Sequence, residues 1–352
     1  WMWFGMLIKQ EALDKTGLPV PETIDEWHTF LTKAKEVGYS EPLNYGSNYG
    51  QIFTGILNGA YGVWDWTFLD SNGKVAWGPA QPKAKEYLAM MQQWNKEGLL
   101  NKDWATADFN QRMASAISDK TAVMMDSPDT MWSYWKEQND IDFVGALNPV
   151  LNKGDKSATT YKNFKRTGTE AAITTQCDNV EAAMAWLDFA YTKKGWEIYN
   201  YGEYGTVHLI DESGKPYYPE NSYMYNDPDG QPVAVALDKY RRHIWPDIRD
   251  EHNSNPLIVA KGSYSGEIRK YWTENMDTSA AMPPISFTKE EASREAELGN
   301  QLSTLRGEYF AKIIKGELPV DAYDKFLEEA KKMGLDEFLS IHQAALDRYN
   351  SR

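Results

Sequence analysis

The chain has 352 residues, 42% of them hydrophobic, which is enough for about two domains with cores of their own. Its 37 basic and 51 acidic side chains give a net charge of −14, which disfavours binding to nucleic acid or to an anionic membrane surface. The single cysteine, Cys177, excludes a disulfide within this chain and a cysteine-based metal site.

Local patterns in the first part of the chain predict both helices and strands. A capping-box pattern followed by apolar residues at helical spacing predicts a helix over residues 23–37. A second helix is predicted over residues 82–97, and the Asp-Ser-Asn-Gly-Lys segment at 70–74 predicts a hairpin turn. Residues 121–125 predict a short buried strand, and the Asp-Ser-Pro-Asp-Thr segment that follows predicts the start of another helix.

The second half of the chain is predicted to be mainly helical around an irregular region. A strand is predicted at 171–175 and a helix at 180–194, and residues 204–288 are rich in loop formers. The remaining predicted helices are 233–242, 289–315, 321–333 and 336–349. Helices dominate and no regular alternation of strand and helix is visible, which argues against a Rossmann or TIM-barrel architecture for the whole molecule.

Motifs for common chemistries are absent from the sequence. There is no phosphate-binding loop, no dinucleotide fingerprint and no nucleophile elbow, and the five histidines lack zinc-helix spacing. The Asp-rich segments at 70–73 and 227–230 fit turns and do not fit the spacing of a calcium loop. We therefore predict no cofactor, no metal and no catalytic residue. A glycosidase-type carboxylate pair is not identifiable from sequence, so a carbohydrate-active hydrolase stays open as the alternative.

The apolar faces of the predicted helices do not account for all the aromatic residues of the chain. Many of these residues lie in predicted loops beside Asn, Asp, Ser and Gly. Such a mixture suits a sugar ligand, because sugar rings stack on aromatic planes while their hydroxyls bond to polar side chains. Trp64 and Trp66 are two positions apart, next to Gly62. We expect a bend there that packs one ring and exposes the other, Trp64, to ligand.

The order of several short motifs resembles that of the family 1 extracellular solute-binding proteins of ABC importers, in the lipoprotein-type branch that binds carbohydrates. The first motif places Ile, Lys, Glu and Leu before a Gly-Leu pair and a Pro-Glu-Thr-Ile-Asp-Glu segment. The matching stretches are residues 6–27, 70–77, 87–100, 118–125, 200–205 and 334–349.

This resemblance implies a helix-rich α/β fold of the periplasmic-binding-protein type (type II) with two lobes. It implies a protein on the extracellular face of the cell membrane, or in the periplasm, that closes around an oligosaccharide and delivers it to the membrane permease of an ABC transporter. Family members carry a further N-terminal segment with most of the first lobe and a lipid-bearing cysteine, so the first lobe is expected to be incomplete here. A monomer is expected.

The resemblance also suggests a division of the chain. Residues 1–20 would cross from the first lobe, 21–167 form the second lobe, 168–205 hold hinge crossings and a first-lobe helix, and 206–352 hold the irregular region and the C-terminal helices. An incomplete first lobe would leave apolar side chains uncovered on the helix predicted at 180–194.

The expected ligand-binding residues combine the loop aromatics with neighbouring polar side chains. Tyr49 and Trp132 stand where related maltodextrin binders carry stacking aromatics, and Tyr204 lies between two glycines of a predicted hinge crossing. The predicted ligand-binding set is Tyr49, Asn48, Trp64, Trp66, Asp126, Trp132, Tyr204 and Trp272.

Overall fold

The computed structural model describes residues 2–45, 56–162, 171–241, 255–259 and 262–352. Within these ranges the strands are β1 (Gly5–Lys9), β2 (Leu43–Asn44), β3 (Thr67–Leu69), β4 (Val75–Trp77), β5 (Val123–Asp126), β6 (Phe143–Ala146), β7 (Leu209–Ile210) and β8 (Pro216–Tyr217). The α-helices are α1 (Gln10–Thr16), α2 (Ile24–Glu36), α3 (Ala84–Lys96), α4 (Phe109–Ile117), α5 (Pro128–Met131), α6 (Val180–Phe189), α7 (Lys193–Tyr201), α8 (Val233–Tyr240), α9 (Pro256–Val259), α10 (Ser265–Asn275), α11 (Lys289–Lys315), α12 (Ala322–Met333) and α13 (Leu335–Asn350). Short 3₁₀ turns cover Asn58–Tyr61 and Gly78–Ala80, and a π-helical turn covers Trp132–Glu137.

The chain divides into two compact units. The first unit consists of Trp1–Asp126, Asp142–Lys165 and Lys270–Arg352. The second unit consists of Ser127–Ile141 and Arg166–Arg269. The lobe boundaries expected from the sequence stay a prediction.

A four-stranded sheet lies in the first unit, with the strand order β2-β5-β1-β6. The central strand β1 is buried along its whole length and runs antiparallel to both neighbours, with Gly5 opposite Asp126 and Met6 opposite Ala146. The edge strand β2 runs parallel to β5. A strand buried on both faces reads as a continuous apolar run rather than as an alternation, and β1 has this pattern in Gly-Met-Leu-Ile.

Helix α2 forms as the capping-box pattern predicts. The Thr23 hydroxyl accepts a hydrogen bond from the Glu26 backbone N–H at 3.2 Å, and the Glu26 carboxylate accepts one from the Thr23 N–H at 3.1 Å. Its buried face carries Trp27, Phe30 and Leu31, which belong to the main core of the first unit. This reciprocal cap satisfies two backbone donors that the first turn of a helix otherwise leaves without partners.

The C-terminal helices complete the first unit. Helix α11 packs against α3, α12 and α13, and α13 also contacts β4. The hairpin β3–β4 turns at Asp70, whose carboxylate accepts the backbone N–H groups of Asn72 and Lys74, each at 2.8 Å. These contacts hold the hairpin beside α13, and the loop before β3 contributes to the site described below.

The second unit has a small core of its own. Tyr201, Val207, Tyr218, Met224 and Ala236 form it, and the β7–β8 hairpin belongs to the same unit. Residues 201–208, one of the predicted hinge crossings, lie within this unit.

Several elements differ from the sequence prediction. Helix α10 forms within residues 204–288, where loops and a single helix at 233–242 were predicted. Residues 171–175 form no strand, and the helix predicted over 180–194 is two helices, α6 and α7, separated at residues 190–192. No residue of α6 is buried, and Met184 and Trp186 are 48% and 53% exposed. Apolar surface of this helix is therefore exposed in the described structure. That it is exposed because the first lobe is incomplete stays a prediction.

Candidate functional site

A pocket in the first unit joins exposed aromatic rings to buried polar groups. Its cavity measures about 180 Å³. The lining residues come from the start of β1, the loop before β3 and the chain after β6: Phe4, Ile56, Asp65, Asn148, Thr159, Thr160 and Tyr161.

Two aromatic side chains contribute the apolar surface of this pocket. Phe4 is 43% exposed and Tyr161 is 39% exposed, although most large apolar side chains of the first unit are buried. Phe4 directly precedes β1, and the Tyr161 backbone N–H donates to the Thr159 hydroxyl at 3.0 Å. Both rings are therefore attached to ordered backbone and leave aromatic surface open to a ligand.

The polar part of the pocket is held by bonds between neighbouring chain segments. Asn148 and Thr159 are both buried. The Asn148 amide donates to the Ala158 carbonyl at 3.1 Å, and the Ser157 hydroxyl donates to the Asn148 carbonyl at 2.9 Å. Because the Thr159 backbone N–H also donates to the Asp277 carbonyl at 2.9 Å, the segment is anchored on both sides. Such preorganisation lowers the entropy that ligand binding costs.

Asp65 carries the ionisable group of the pocket, and it is paired with Arg306 of α11. One guanidinium nitrogen donates to the Asp65 backbone carbonyl at 2.5 Å and to its carboxylate at 2.9 Å. Burial raises the pKa of Asp65 to about 6, and the Arg306 charge opposes this increase. The carboxylate is thus ionised at neutral pH and fixed in orientation.

The Trp64–Trp66 segment bends as the sequence predicts, but the two rings have exchanged roles. Trp64 is 6% exposed and Trp66 is partly exposed, so the expectation that Trp64 faces solvent is wrong. The reason is the close approach of Gly78, where an added Cβ would lie 1.8 Å from the Trp64 carbonyl oxygen. The Gly78 N–H also donates to the Trp66 carbonyl at 2.9 Å, which fixes the bend with Trp64 inward.

Two other predicted ligand residues are packed into the first unit. Trp272 is fully buried against Gly5, where an added Cβ would lie 2.6 Å from its ring, so this ring has no open face for a ligand. Asp126 is 4% exposed and lies 3.5 Å from the guanidinium of Arg112, which is also buried. In this structure both predicted residues contribute to packing and not to an open surface.

Of the four remaining predicted residues, two belong to the second unit and two are not described by the structure. Trp132 and Tyr204 belong to the second unit; Trp132 meets Tyr264 edge to face at 5.0 Å, and Tyr204 is 62% exposed. Tyr49 and Asn48 lie outside the described residues. A ligand role for these four residues stays a prediction.

The predicted ligand-binding set does not contain Phe4, Asp65 or Tyr161. The signal for Asp65 was present, because it stands between two tryptophans and small-molecule sites combine aromatic side chains with a few polar groups. Phe4, Asp65 and Tyr161 are far apart in sequence, so only the fold brings them together.

Within the described ranges, no His, Cys, Asp and Glu side chains form a group of three or more that could hold a metal ion. Among the same residues, no helix combines the length and the apolar character needed to cross a membrane.

The pocket can hold a ligand through stacking and hydrogen bonding. Exposed rings beside a fixed carboxylate, an amide and a hydroxyl match the C–H faces and hydroxyls of a sugar. Consistent with this chemistry, the family model of bacterial extracellular solute-binding proteins matches residues 3–195, and the chain belongs to that family.

Individual relatives are similar over nearly the whole chain. The fructooligosaccharide ABC transporter substrate-binding protein FusA of Streptococcus pneumoniae is 23% identical over 98% of this chain and 65% of its own length. Lipoprotein LipO of Bacillus subtilis is 26% identical over 95% of this chain and 67% of its own length. The chain thus spans about two thirds of the length of these relatives.

Solved structures agree with the predicted fold class. The alginate-binding protein AlgQ2 superposes with a TM-score of 0.79 at 22% identity, over 98% of this chain and 72% of that protein. The fold is therefore the helix-rich α/β fold of periplasmic-binding-protein-like solute-binding proteins, as the sequence predicts.

Proposed function

We propose that this chain is part of an extracellular binding protein that captures a neutral oligosaccharide and delivers it to the membrane permease of an ABC importer. The observation that carries this proposal is the pocket of the first unit, where Phe4 and Tyr161 expose aromatic surface beside the Asp65 carboxylate. Membership of the solute-binding family and the similarity to FusA, a fructooligosaccharide-binding protein of an ABC transporter, support binding over hydrolysis.

The proposed mechanism involves no covalent chemistry. The ligand favours a closed conformation because it gains contacts there that the open conformation lacks, and the closed form docks on the permease. The net charge of −14 favours a neutral sugar over an anionic ligand. In this proposal the protein acts as a monomer outside the cell membrane, with a lipid anchor in its full-length form.

Binding and cleavage are separated by one experiment. The protein is incubated with malto-, xylo- and fructo-oligosaccharides, and calorimetry is combined with chromatography of the sugars. Heat of binding with unchanged sugars supports the proposal. Cleavage products would support the hydrolase instead, and the absence of binding to every sugar would contradict the proposed ligand class.

The pocket is tested with matched tyrosine variants. Tyr161→Ala should weaken binding of the sugar identified above on the order of tenfold, because the ring supplies a stacking surface. Tyr217→Ala is the control, since Tyr217 is similarly exposed (43% against 39%) but lies on β8, outside the pocket lining. Equal affinities for the two variants would place the sugar elsewhere.

A further inference from the structure

An open groove along α11 shares Asp65 with the pocket described above. It has a cavity volume of about 460 Å³, which is within the range of ordinary small-molecule sites. The lining residues lie in the loop before β3 and on one face of α11: Asp65, Trp66, Glu295, Ala296, Gly299, Asn300, Ser303 and Arg306.

The partly exposed ring of Trp66 forms the aromatic part of this groove. The ring meets Phe338 at 5.3 Å and Trp77 at 6.3 Å, both edge to face, and the Arg306 guanidinium lies 5.7 Å from its centre. Helix α11 passes close to the ring at Gly299, where an added Cβ would lie 3.4 Å from the Trp66 ring, an ordinary van der Waals distance. The ring is thus held in place on several sides while part of its surface remains open.

Polar side chains surround the ring with both donors and acceptors. Asn300 is exposed, and Ser303 lies about one turn further along α11. The Glu295 carboxylate lies 3.2 Å from His342 Nε2, and the buried His342 ring packs on Phe338 at 4.4 Å, which positions this carboxylate. An amide, a hydroxyl and oriented carboxylates suit the hydroxyl groups of a polyol.

The charges of the groove disfavour an acidic ligand. Asp65 and Glu295 carry two negative charges against the single positive charge of Arg306, and Arg306 is already bonded to Asp65. A uronate would add a third carboxylate to this set, at a cost from like-charge repulsion. A neutral sugar has no such cost.

We infer that this groove is a second sugar subsite, continuous with the pocket through Asp65, so that the ligand is a neutral oligosaccharide whose consecutive rings occupy the pocket and the face of Trp66. The inference rests on the proposed function. It adds to that proposal a minimum ligand length, a direction along α11 and a preference for uncharged sugars.

The test measures affinity as a function of chain length. Calorimetry with disaccharides to hexasaccharides of one neutral series should show an increase of about tenfold once the ligand reaches the groove. Trp66→Leu keeps an apolar side chain in the packed position but removes the ring, so it should abolish this increase. The double variant Asn300→Ala/Ser303→Ala should have the same effect without disturbing the packing around Trp66.

A neighbouring residue provides the control. Gln301 follows Asn300 on α11, is exposed and does not line the groove, so Gln301→Ala should retain the full length dependence. The second subsite would be overturned if sugars bind with an affinity that does not depend on chain length. It would also be overturned if both groove variants keep the dependence of affinity on chain length. The proposed function stands in either case. Tighter binding of an oligouronate than of the neutral series would overturn the charge preference. Failure of every sugar to bind would instead contradict the proposed function itself.

Discussion

Replacing Arg306 with methionine tests whether the Arg306–Asp65 pair stabilises the bend that forms the candidate site. Arg306 is only 12% exposed, and it bonds to both the backbone carbonyl and the carboxylate of Asp65. The carbonyl bond is worth about 1 kcal/mol net, and the carboxylate bond is reduced to about the same value because the Asp65 side chain is 41% exposed. The contact with the Trp66 ring adds about 0.5–1 kcal/mol, so Arg306→Met should lower the free energy of unfolding by about 2–3 kcal/mol.

A second arginine on the same helix provides the control. Arg294 donates to Glu337 at 2.7 and 2.8 Å and to Glu297 at 2.7 Å, so it forms ion pairs with two carboxylates. Its side chain is 40% exposed, however, and solvent screens exposed pairs. Arg294→Met should therefore destabilise the protein less than Arg306→Met. Urea unfolding followed by circular dichroism measures both variants against the wild type. Equal losses, or a larger loss for Arg294→Met, would refute the argument that burial decides the contribution.

Local sequence signals predicted the elements whose contacts are local. The helix over 23–37 and the turn at 70–74 form because their stabilising bonds join residues within a few positions of each other, as at Thr23 and Glu26. The predicted strand at 171–175 has the expected β-branched composition but is largely exposed and pairs with no strand among the described residues. Strand propensity reflects packing against neighbours, so composition alone does not make a strand.

The arrangement of the candidate site could not be predicted in the same way. The direction of Trp64 depends on Gly78, and the burial of Trp272 depends on Gly5, which is distant in sequence. No periodic pattern of residues in the sequence predicts these two contacts. The composition did indicate that aromatic and polar side chains would meet in a site, but only the fold selects Asp65 as the residue that the pocket and the groove have in common.

Three further predictions concern other parts of the molecule. Arg269→Met removes a fully buried guanidinium that donates to the Asp129 carboxylate at 2.9 Å. Leaving that buried carboxylate without its positively charged partner should cost about 3–5 kcal/mol, measured by urea unfolding, and a loss no greater than that of Arg294→Met would contradict this prediction. Burial raises the pKa of Asp65 to about 6, so the folded state favours the protonated form of this carboxyl group. The wild type should therefore lose stability relative to Asp65→Asn as the pH rises from about 4 to about 6. A constant difference in the free energy of unfolding between the two proteins across that range would show that the pKa is not raised. Finally, α6 has no buried residue, so the double variant Val180→Ser/Met184→Ser removes exposed apolar surface and no buried side chain of the described core. It should reduce binding of the dye ANS with little change in melting temperature. A clear fall in melting temperature would show instead that these side chains pack against a partner, and that the exposed face of α6 is covered in solution.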